Sequence, residues 1–147
     1  RRHTRYADRS RGLGDVYKRQ GQRTAWGASM GGLCSAELAW RHPLRFQTVV
    51  AQSGAFLFHP GQHAGDDPHG GQEWWARRVA TETWRPLRWH LQAGTLEWLH
   101  RPNANLAEAL REAEFEISYK ERSSGHNWTT WRNGLADGFR FAVPRRT

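Results

Sequence analysis

Short runs of β-branched and aromatic residues along the chain predict strands. Phe46–Ala51 (FQTVVA) and Leu87–Gln92 have the composition of strands, and Thr24–Trp26 has the pattern of a strand's end. A fourth strand with one buried face is predicted where apolar residues alternate with polar ones, at Phe115, Ile117 and Tyr119. The chain therefore contains four candidate strands, spread along its length.

Apolar residues at helical spacing separate these strands. The first helix is expected to be buried and to end before Pro43, because the residue before a proline resists helical geometry. Its apolar residues are Leu33, Cys34, Leu38 and Trp40. A loop rich in Gly, His and Pro is predicted over Phe56–Gly71, followed by a helix over Gln72–Thr83. Pro102 is the expected first residue of the third helix.

The last helix is predicted to begin after Asn127, which is a good N-cap residue. Gly134 and Gly138, one turn apart, are expected to let this helix approach the sheet closely. Its apolar face is predicted to comprise Trp128, Trp131, Leu135, Phe139 and Ala142. Strands that alternate with helices predict the α/β class, with a mostly parallel sheet covered by helices on both faces.

The net charge at first favours a nucleic-acid partner. The 147 residues contain 22 Lys+Arg and 14 Asp+Glu, a formal charge of +8, and basic side chains release counterions from phosphate backbones. However, residues 1–20 hold seven Lys+Arg and two Asp, which is +5 of that charge. The remaining +3 over 127 residues is ordinary. We therefore expect no nucleic-acid partner.

Residues 1–20 resemble a translated sequencing adapter rather than a folding unit. Ser10–Gln20 (SRGLGDVYKRQ) matches one reading frame of a transposase-type adapter, and Arg1–Arg5 (RRHTR) resembles the flow-cell adapter that precedes it. On this interpretation the natural polypeptide starts near Gly21. We expect residues 1–20 to be unstructured and residues 21–147 to form the folded part.

The composition excludes several other classes of protein. Nine Trp and six Phe supply large core-forming side chains, which disordered and coiled-coil chains lack. No apolar run approaches the ~18 residues of a membrane helix, so we expect no membrane partner. A single cysteine, Cys34, excludes an internal disulfide, and its place in the first helix predicts a small core residue.

Gly27–Gly31 (GASMG) matches G-x-S-x-G between a predicted strand and a helix, which is the context this nucleophile motif requires. The motif places Ser29 on a sharp turn that presents its hydroxyl above the sheet, and side chains at the flanking glycines are expected to collide with strand and helix. The backbone N–H of Met30 would then point at a tetrahedral oxyanion. The alternative is a glycine-rich turn with an unreactive serine.

A serine nucleophile needs a general base and an acid. His126 (SSGHNW) lies on a loop after the last strand and follows the serine in sequence, as the Ser…acid…His order requires. Glu97 (AGTLEW) follows the third strand and is the favoured acid. Asp66 and Asp67 are the competing candidates, on the loop after the preceding strand.

These segments carry a family resemblance. WGASMGGLCSAELAWRHPLRF, VVAQSGAF, LQAGTLEWLHRPNANLAEAL and SSGHNWTTWRNGLADGFRF resemble the Putative esterase family of α/β-hydrolases, most of all its enterochelin (ferric enterobactin) esterase-like members. The resemblance implies Ser29 as nucleophile, His126 as general base and Glu97 as acid. It also implies the C-terminal part of an α/β-hydrolase domain whose N-terminal strands are missing, and a catecholate siderophore ester as substrate.

Other residues have weaker functional interpretations. Trp128, Trp131 and Arg132 are candidates to stack on an aromatic acyl group or pair with an anionic one, and the tryptophans are as readily core residues. Four arginines are candidates to face an anionic substrate, and a solvated surface would account for them without one. They are Arg77, Arg78, Arg85 and Arg88. One loop contains possible metal ligands at irregular spacing that favours a solvated polar loop, namely His59, His63, Asp66, Asp67 and His69.

The sequence thus predicts that the complete protein is a serine carboxylic-ester hydrolase with a small-molecule ester substrate, no cofactor and no metal, and that this fragment alone is a weaker candidate for activity. The expected location is cytoplasmic, with a periplasmic or secreted location as the alternative. The first alternative is a general carboxylesterase or acyltransferase of the same fold. The alternative of another class is a catalytically silent binding module.

Overall fold

The computed structural model describes residues 23–59 and 74–143, in which four strands alternate with four helices. The strands are β1 (Thr24–Ala28), β2 (Thr48–Gln52), β3 (Arg88–Gly94) and β4 (Glu116–Arg122). The helices are α1 (Met30–Arg41), α2 (Trp74–Thr81), α3 (His100–Glu112) and α4 (Trp128–Ala142). All eight predicted elements are present, with ends that differ by a few residues. The residues 1–20 interpreted as adapter-derived lie outside the described residues.

The four strands form one parallel sheet in the order β1-β2-β3-β4. The register aligns Trp26 with Val50, Val50 with His90, and His90 with Ser118. β2 is buried along its whole length, whereas β4 is half-exposed. This agrees with the strand composition, because a strand between two neighbours is covered on both faces and an edge strand is not.

Helices cover both faces of the sheet. α1 packs on β1 and β2, and α3 packs on β3 and β4, on the face that carries Ala51 and Leu91. α4 packs on β2 and β3 on the opposite face, where Val50 lies close to Gly138. Successive residues of a strand point to opposite faces, so one strand such as β2 serves both layers. The predicted α/β class with helices on both faces is confirmed.

An aromatic cluster fills the core between the sheet and the helices α1 and α2. Trp40, Trp75 and Trp89 are almost fully buried, with ring centroids 5.9–6.3 Å apart. Phe56 and Phe115 extend the cluster on either side. Such rings bury large apolar areas, which accounts for three of the chain's nine tryptophans.

The predicted burial of Cys34 is wrong, and the predicted apolar face of α4 is wrong for two of its five residues. Cys34 is exposed, because α1 buries the face of Leu33, Ala36 and Trp40, and Cys34 lies on the other side of the helix. On α4, the fully buried residues are Thr130, Gly134 and Gly138. Small residues on this face bring the helix so close to the sheet that the large apolar side chains are displaced to its flanks, which leaves Trp128 66% and Phe139 58% exposed.

The start of α3 and the length of the helices can also be compared with the sequence predictions. α3 begins at His100, two residues before the predicted start at Pro102. Pro102 still lies in the first turn, where a backbone N–H has no intrahelical partner and its loss costs nothing. None of the described helices is long and apolar enough to cross a lipid bilayer.

The close approach of α4 to the sheet predicts that Gly134→Ala destabilises the fold. An added Cβ would lie 1.7 Å from Oε1 of Gln92, a fully buried side chain whose amide is held by the Thr130 carbonyl. We expect the free energy of unfolding in urea to fall by about 1–3 kcal/mol. The matched control is Gly31→Ala in α1, whose Cβ would meet nothing within 4 Å. Equal stability of the two variants would contradict the close approach.

The buried imidazole of His90 predicts a pH dependence of stability. His90 is 1% exposed and its Nδ1 lies 3.1 Å from the Ser118 hydroxyl. Burial lowers the pKa of His90, opposed by the Asp137 carboxylate and assisted by Lys120 and Arg122. As the pH falls, the imidazole of the unfolded chain binds a proton near pH 6.5, before His90 of the folded protein does. The free energy of unfolding should therefore fall as the pH is lowered below about 6.5. Chemical denaturation at pH 7.5 and 5.5 should give a smaller difference for His90→Phe than for the wild type; equal differences would contradict the prediction.

Candidate active site

Ser29 occupies a strained turn between β1 and α1. Its backbone has φ 53° and ψ −123°, a left-handed conformation that a non-glycine residue adopts at an energetic cost. Hydrogen bonds hold the turn: the Ser29 N–H donates to the Gln52 carbonyl at 2.9 Å, and the Ser29 carbonyl accepts from Gly32 and Ala55. These bonds to β2 and its following loop fix the direction of the serine hydroxyl.

The glycines of the turn have different steric roles. A Cβ on Gly27 would lie 2.2 Å from the backbone carbonyl of Gly31, so Gly27 must lack a side chain, as the motif predicts. A Cβ on Gly31 would meet nothing, so the predicted collision there is wrong. The second tight position is Gly32, whose Cβ would lie 3.0 Å from the Cα of Gly54. The constraint comes from the first turn of α1 packing on the loop after β2.

The structure brings Ser29, His126 and Glu97 into one hydrogen-bonded chain. His126 Nε2 lies 3.0 Å from Ser29 Oγ, and His126 Nδ1 lies 2.8 Å from Glu97 Oε2. Because a carboxylate only accepts hydrogen bonds, Nδ1 is assigned the proton and Nε2 accepts from the serine hydroxyl. This is the arrangement in which a histidine can remove the proton of a serine. The competing acids Asp66 and Asp67 lie outside the described residues.

Glu97 is held in place by the strand that precedes it. Its side chain is fully buried, and its second oxygen, Oε1, accepts from the Gly94 N–H at 2.9 Å. Gly94 also has no room for a side chain, since a Cβ would lie 2.2 Å from the Ser124 carbonyl oxygen on the histidine loop. The Leu96 N–H donates to that same carbonyl at 3.1 Å. The acid turn and the histidine loop are therefore joined directly.

Two tryptophans flank the imidazole of His126. The Trp98 ring lies 5.8 Å from it, tilted by 42°, and the Trp131 ring contacts it edge-on at 5.1 Å. Trp131 is anchored by its indole N–H, which donates to the Ser53 hydroxyl at 3.0 Å. Trp98 is 60% exposed and was not among the residues predicted to contact substrate. Its position next to Glu97 in an exposed turn is the sequence signal that could have identified it.

The other predicted site residues, Met30, Trp128 and Arg132, are exposed. Met30 is the first residue of α1, so its backbone N–H has no intrahelical acceptor, and its side chain is 52% exposed. Trp128 and Arg132 are exposed on the flank of α4, and Arg132 donates a long hydrogen bond of 3.5 Å to Asn133. Their role in binding substrate stays a prediction.

A buried asparagine braces the same end of the sheet. Asn103 in α3 donates from Nδ2 to the carbonyls of Gly54 and Leu99, both at 2.8 Å. Gly54 follows β2 and Leu99 precedes α3, so one amide connects the two loops beside the triad. The sequence pattern contained this asparagine, but only the fold reveals which carbonyls it binds.

Three of the four candidate arginines are paired with carboxylates away from the triad. Arg88 bonds both oxygens of Glu116, while Arg78 and Arg85 bond Glu82. Arg88 is the first residue of β3, about 20 Å of strand from its carboxyl end at Gly94. Arg77 is exposed on α2. These pairings favour a structural role for the three arginines over contact with a substrate at the triad.

The possible metal ligands fall largely outside the described residues, as is the case for His63, Asp66, Asp67 and His69. His59 is described and packs against Trp74 with ring centroids 6.0 Å apart. Within residues 23–59 and 74–143, no group of three or more His, Cys, Asp or Glu side chains is arranged to hold a metal ion.

Comparison with solved structures places the fold among hydrolases. The enterochelin esterase of Shigella flexneri is 30% identical with a TM-score of 0.62, covering 80% of this chain and 30% of that one. The ferric enterobactin esterase of Salmonella typhimurium is 27% identical with a TM-score of 0.66, covering 84% and 30%. A fluorophosphonate-binding serine hydrolase of Staphylococcus aureus shares the fold at 15% identity and a TM-score of 0.64, covering 95% and 64%.

Sequence comparison agrees with the structural one. An iron(III) enterobactin esterase of Dickeya dadantii (strain 3937) is 30% identical over 133 residues, which cover 80% of this chain and 28% of the relative. The chain thus spans less than a third of the length of these enterobactin esterases. The family model described as Putative esterase matches residues 13–142. On this match, and with the α/β fold established, the chain belongs to the Putative esterase family and is related to hydrolases of ester bonds.

Proposed function

We propose that this chain carries the catalytic triad of a serine esterase, with Ser29 as nucleophile, His126 as general base and Glu97 as the orienting acid. The observation that supports the proposal is the continuous chain of hydrogen bonds from Ser29 Oγ through His126 to Glu97, at 3.0 and 2.8 Å. Three side chains from three different loops meet at one end of the sheet, and the carboxylate among them is fully buried against the imidazole.

The proposed reaction has two halves. Ser29 Oγ attacks the ester carbonyl while His126 Nε2 takes the hydroxyl proton, and the tetrahedral intermediate expels the alcohol, which receives that proton from the imidazolium. Water then attacks the acyl-serine while His126 Nε2 takes a proton from it, and the second tetrahedral intermediate breaks its bond to Ser29 Oγ, which regains that proton from the imidazolium as the carboxylic acid is released. Throughout, the carboxylate of Glu97 accepts a hydrogen bond from the Nδ1–H of His126 and stabilises the positive imidazolium.

Charge on the intermediate's oxygen also needs donors. The Met30 N–H, at the N-terminus of α1 beside Ser29, is suited to this role because the helix dipole favours negative charge at that end. It would supply one of the donors of an oxyanion hole.

For the substrate, we propose a catecholate siderophore ester. The 30% identity to an iron(III) enterobactin esterase supports this class. The surroundings of the triad also suit an aromatic acyl group, because two side chains there expose apolar surface. They are Trp98, which contacts His126, and Leu96, which immediately precedes Glu97. A general carboxylesterase or acyltransferase is the second candidate, since the triad chemistry is the same for either. The partner is in each case a small-molecule ester, and a cytoplasmic location stays a prediction.

Fluorophosphonate labelling tests the proposed nucleophile. We expect the 147-residue chain to be labelled at Ser29, labelling to vanish in Ser29→Ala, and its rate to fall about 10²–10⁴-fold in His126→Ala. Glu97→Gln should also slow labelling, because an amide can present an N–H to Nδ1 in place of an acceptor. The control is Ser123→Ala, an exposed serine on the histidine loop, which should label as the wild type does.

Two other labelling results would revise the proposal. A folded chain, verified by circular dichroism, that stays unlabelled would contradict the proposal and leave the catalytically silent binding module. Normal labelling of Glu97→Ala would place the acid elsewhere.

A substrate comparison tests the acyl specificity. Trp98→Ala should lower kcat/KM for a dihydroxybenzoyl ester about 3- to 10-fold, the loss expected for one aromatic contact, and change the value for an acetyl ester little. The control is Trp84→Ala, an equally exposed tryptophan that stacks on Phe115 away from the triad. Hydrolysis of simple aryl esters without hydrolysis of enterobactin would favour the general carboxylesterase.

A further inference from the structure

We propose that Gln52 is a positioning residue that couples the nucleophile turn to the general base. The inference rests on the proposed roles of Ser29 and His126. Gln52 is the last residue of β2, is 3% exposed and has no place in the triad itself. Its backbone contacts one partner of the catalytic pair, Ser29, and its side chain contacts the helix that follows the other, His126.

The backbone of Gln52 holds the nucleophile. Its carbonyl accepts the Ser29 N–H at 2.9 Å, so the strained turn at Ser29 is tied to the end of the neighbouring strand. The register places Ala28 beside Gln52, which makes this bond the continuation of the β1–β2 ladder past the end of β1.

The side chain of Gln52 holds the helix that follows the base. Its Nε2 donates to the Trp131 carbonyl at 2.7 Å, and its Oε1 accepts from the Trp26 indole at 3.1 Å. Trp131 lies in the first turn of α4, and its ring contacts the His126 imidazole edge-on at 5.1 Å. Moving this amide would therefore move the Trp131 ring and, with it, one wall of the imidazole's site.

Gln92, the register partner of Gln52, repeats the backbone contact and the side-chain donor contact on the next strand. Its carbonyl accepts the Ser53 N–H at 2.6 Å, and its Nε2 donates to the Thr130 carbonyl at 3.0 Å. Two adjacent amides thus bind two successive carbonyls of α4. One such bond would leave the helix free to pivot, whereas two fix both the depth and the rotation of its first turn.

The chemistry of the position favours an amide over an apolar residue. A buried polar group costs free energy unless it is hydrogen-bonded, so the paired amide at Gln52 is stable only in the geometry that satisfies both its donor and its acceptor. An apolar side chain of similar volume would fill the space without specifying the helix position. Gln52 thereby fixes the position of α4 relative to the Ser29 turn, and with it the distance between Ser29 Oγ and His126 Nε2.

Gln52→Met tests the coupling in the 147-residue chain. It keeps the volume and the backbone bond to Ser29 but removes the amide from Trp131 and Trp26. We expect the rate of fluorophosphonate labelling to fall about 10- to 100-fold, because small displacements of catalytic groups have effects of that size. We also expect the NMR resonance of the His126 Nδ1 proton to shift and the pH profile of labelling to change.

Gln47→Met is the matched control. Gln47 lies just before β2, at the opposite end of that strand, and its Nε2 likewise donates to a backbone carbonyl, that of Pro43, at 3.1 Å. Its Oε1 also accepts from the Arg23 N–H at 3.3 Å. This variant should keep the wild-type labelling rate and the wild-type His126 resonance, although it too loses two side-chain hydrogen bonds.

The outcomes separate this inference from the proposed function. An unlabelled wild type would remove the proposed function, whereas a labelled wild type with an unchanged rate and resonance in a less stable Gln52→Met would overturn only the coupling. If Gln52→Met does not fold, Trp26→Phe decides the question, since it frees Oε1 of Gln52 and should slow labelling about 3- to 10-fold. Wild-type behaviour of Trp26→Phe would then overturn the coupling.

Discussion

The parallel register of β1, β2 and β3 is the constraint on which the rest of the structure depends. It aligns Ala28 with Gln52 and Gln52 with Gln92, so that the three strands deliver the chain to the same edge of the sheet. Ser29 emerges from the first strand, Ser53 from the second, and Glu97 from the turn after the third. Because all strands point the same way, residues distant in sequence meet there without any long connection crossing the sheet.

Backbone hydrogen bonds extend that register beyond the strands. Ser29 donates to Gln52 and Ser53 donates to Gln92, and both serines have positive φ values, 53° and 50°. Two strained residues side by side are stable only because their neighbours are held on several sides. The strain at Ser29 aims a hydroxyl at His126, and the turn at Ser53 aims a hydroxyl at the Trp131 indole. The same local geometry thus serves the proposed nucleophile and the support of its base.

The approach of α4 to the sheet is the second determinant of the site. Gly134 and Gly138 allow the helix to lie against Gln92, Trp26 and Val50, and the resulting contact brings the loop before it over the strand ends. The close approach was predicted from the two glycines, but its consequence was not. A helix that packs through its smallest residues leaves its largest ones, such as Trp128 and Phe139, on its flanks. The predicted apolar face of α4 was wrong for these two residues for that reason, whereas Trp131, Leu135 and Ala142 are half-buried.

Residue pattern alone determined the α/β class, the order of strands and helices, and the three candidates Ser29, Glu97 and His126, because periodicity, turn residues and motif spacing are local properties of the chain. Only the tertiary structure decided which faces are buried, that Gly32 rather than Gly31 is the second tight glycine, and that Cys34 is exposed. It also decided the contacts of Gln52, Trp98 and Asn103. These depend on distances between segments remote in sequence, and such distances arise only when helices pack on a sheet at a particular depth and rotation.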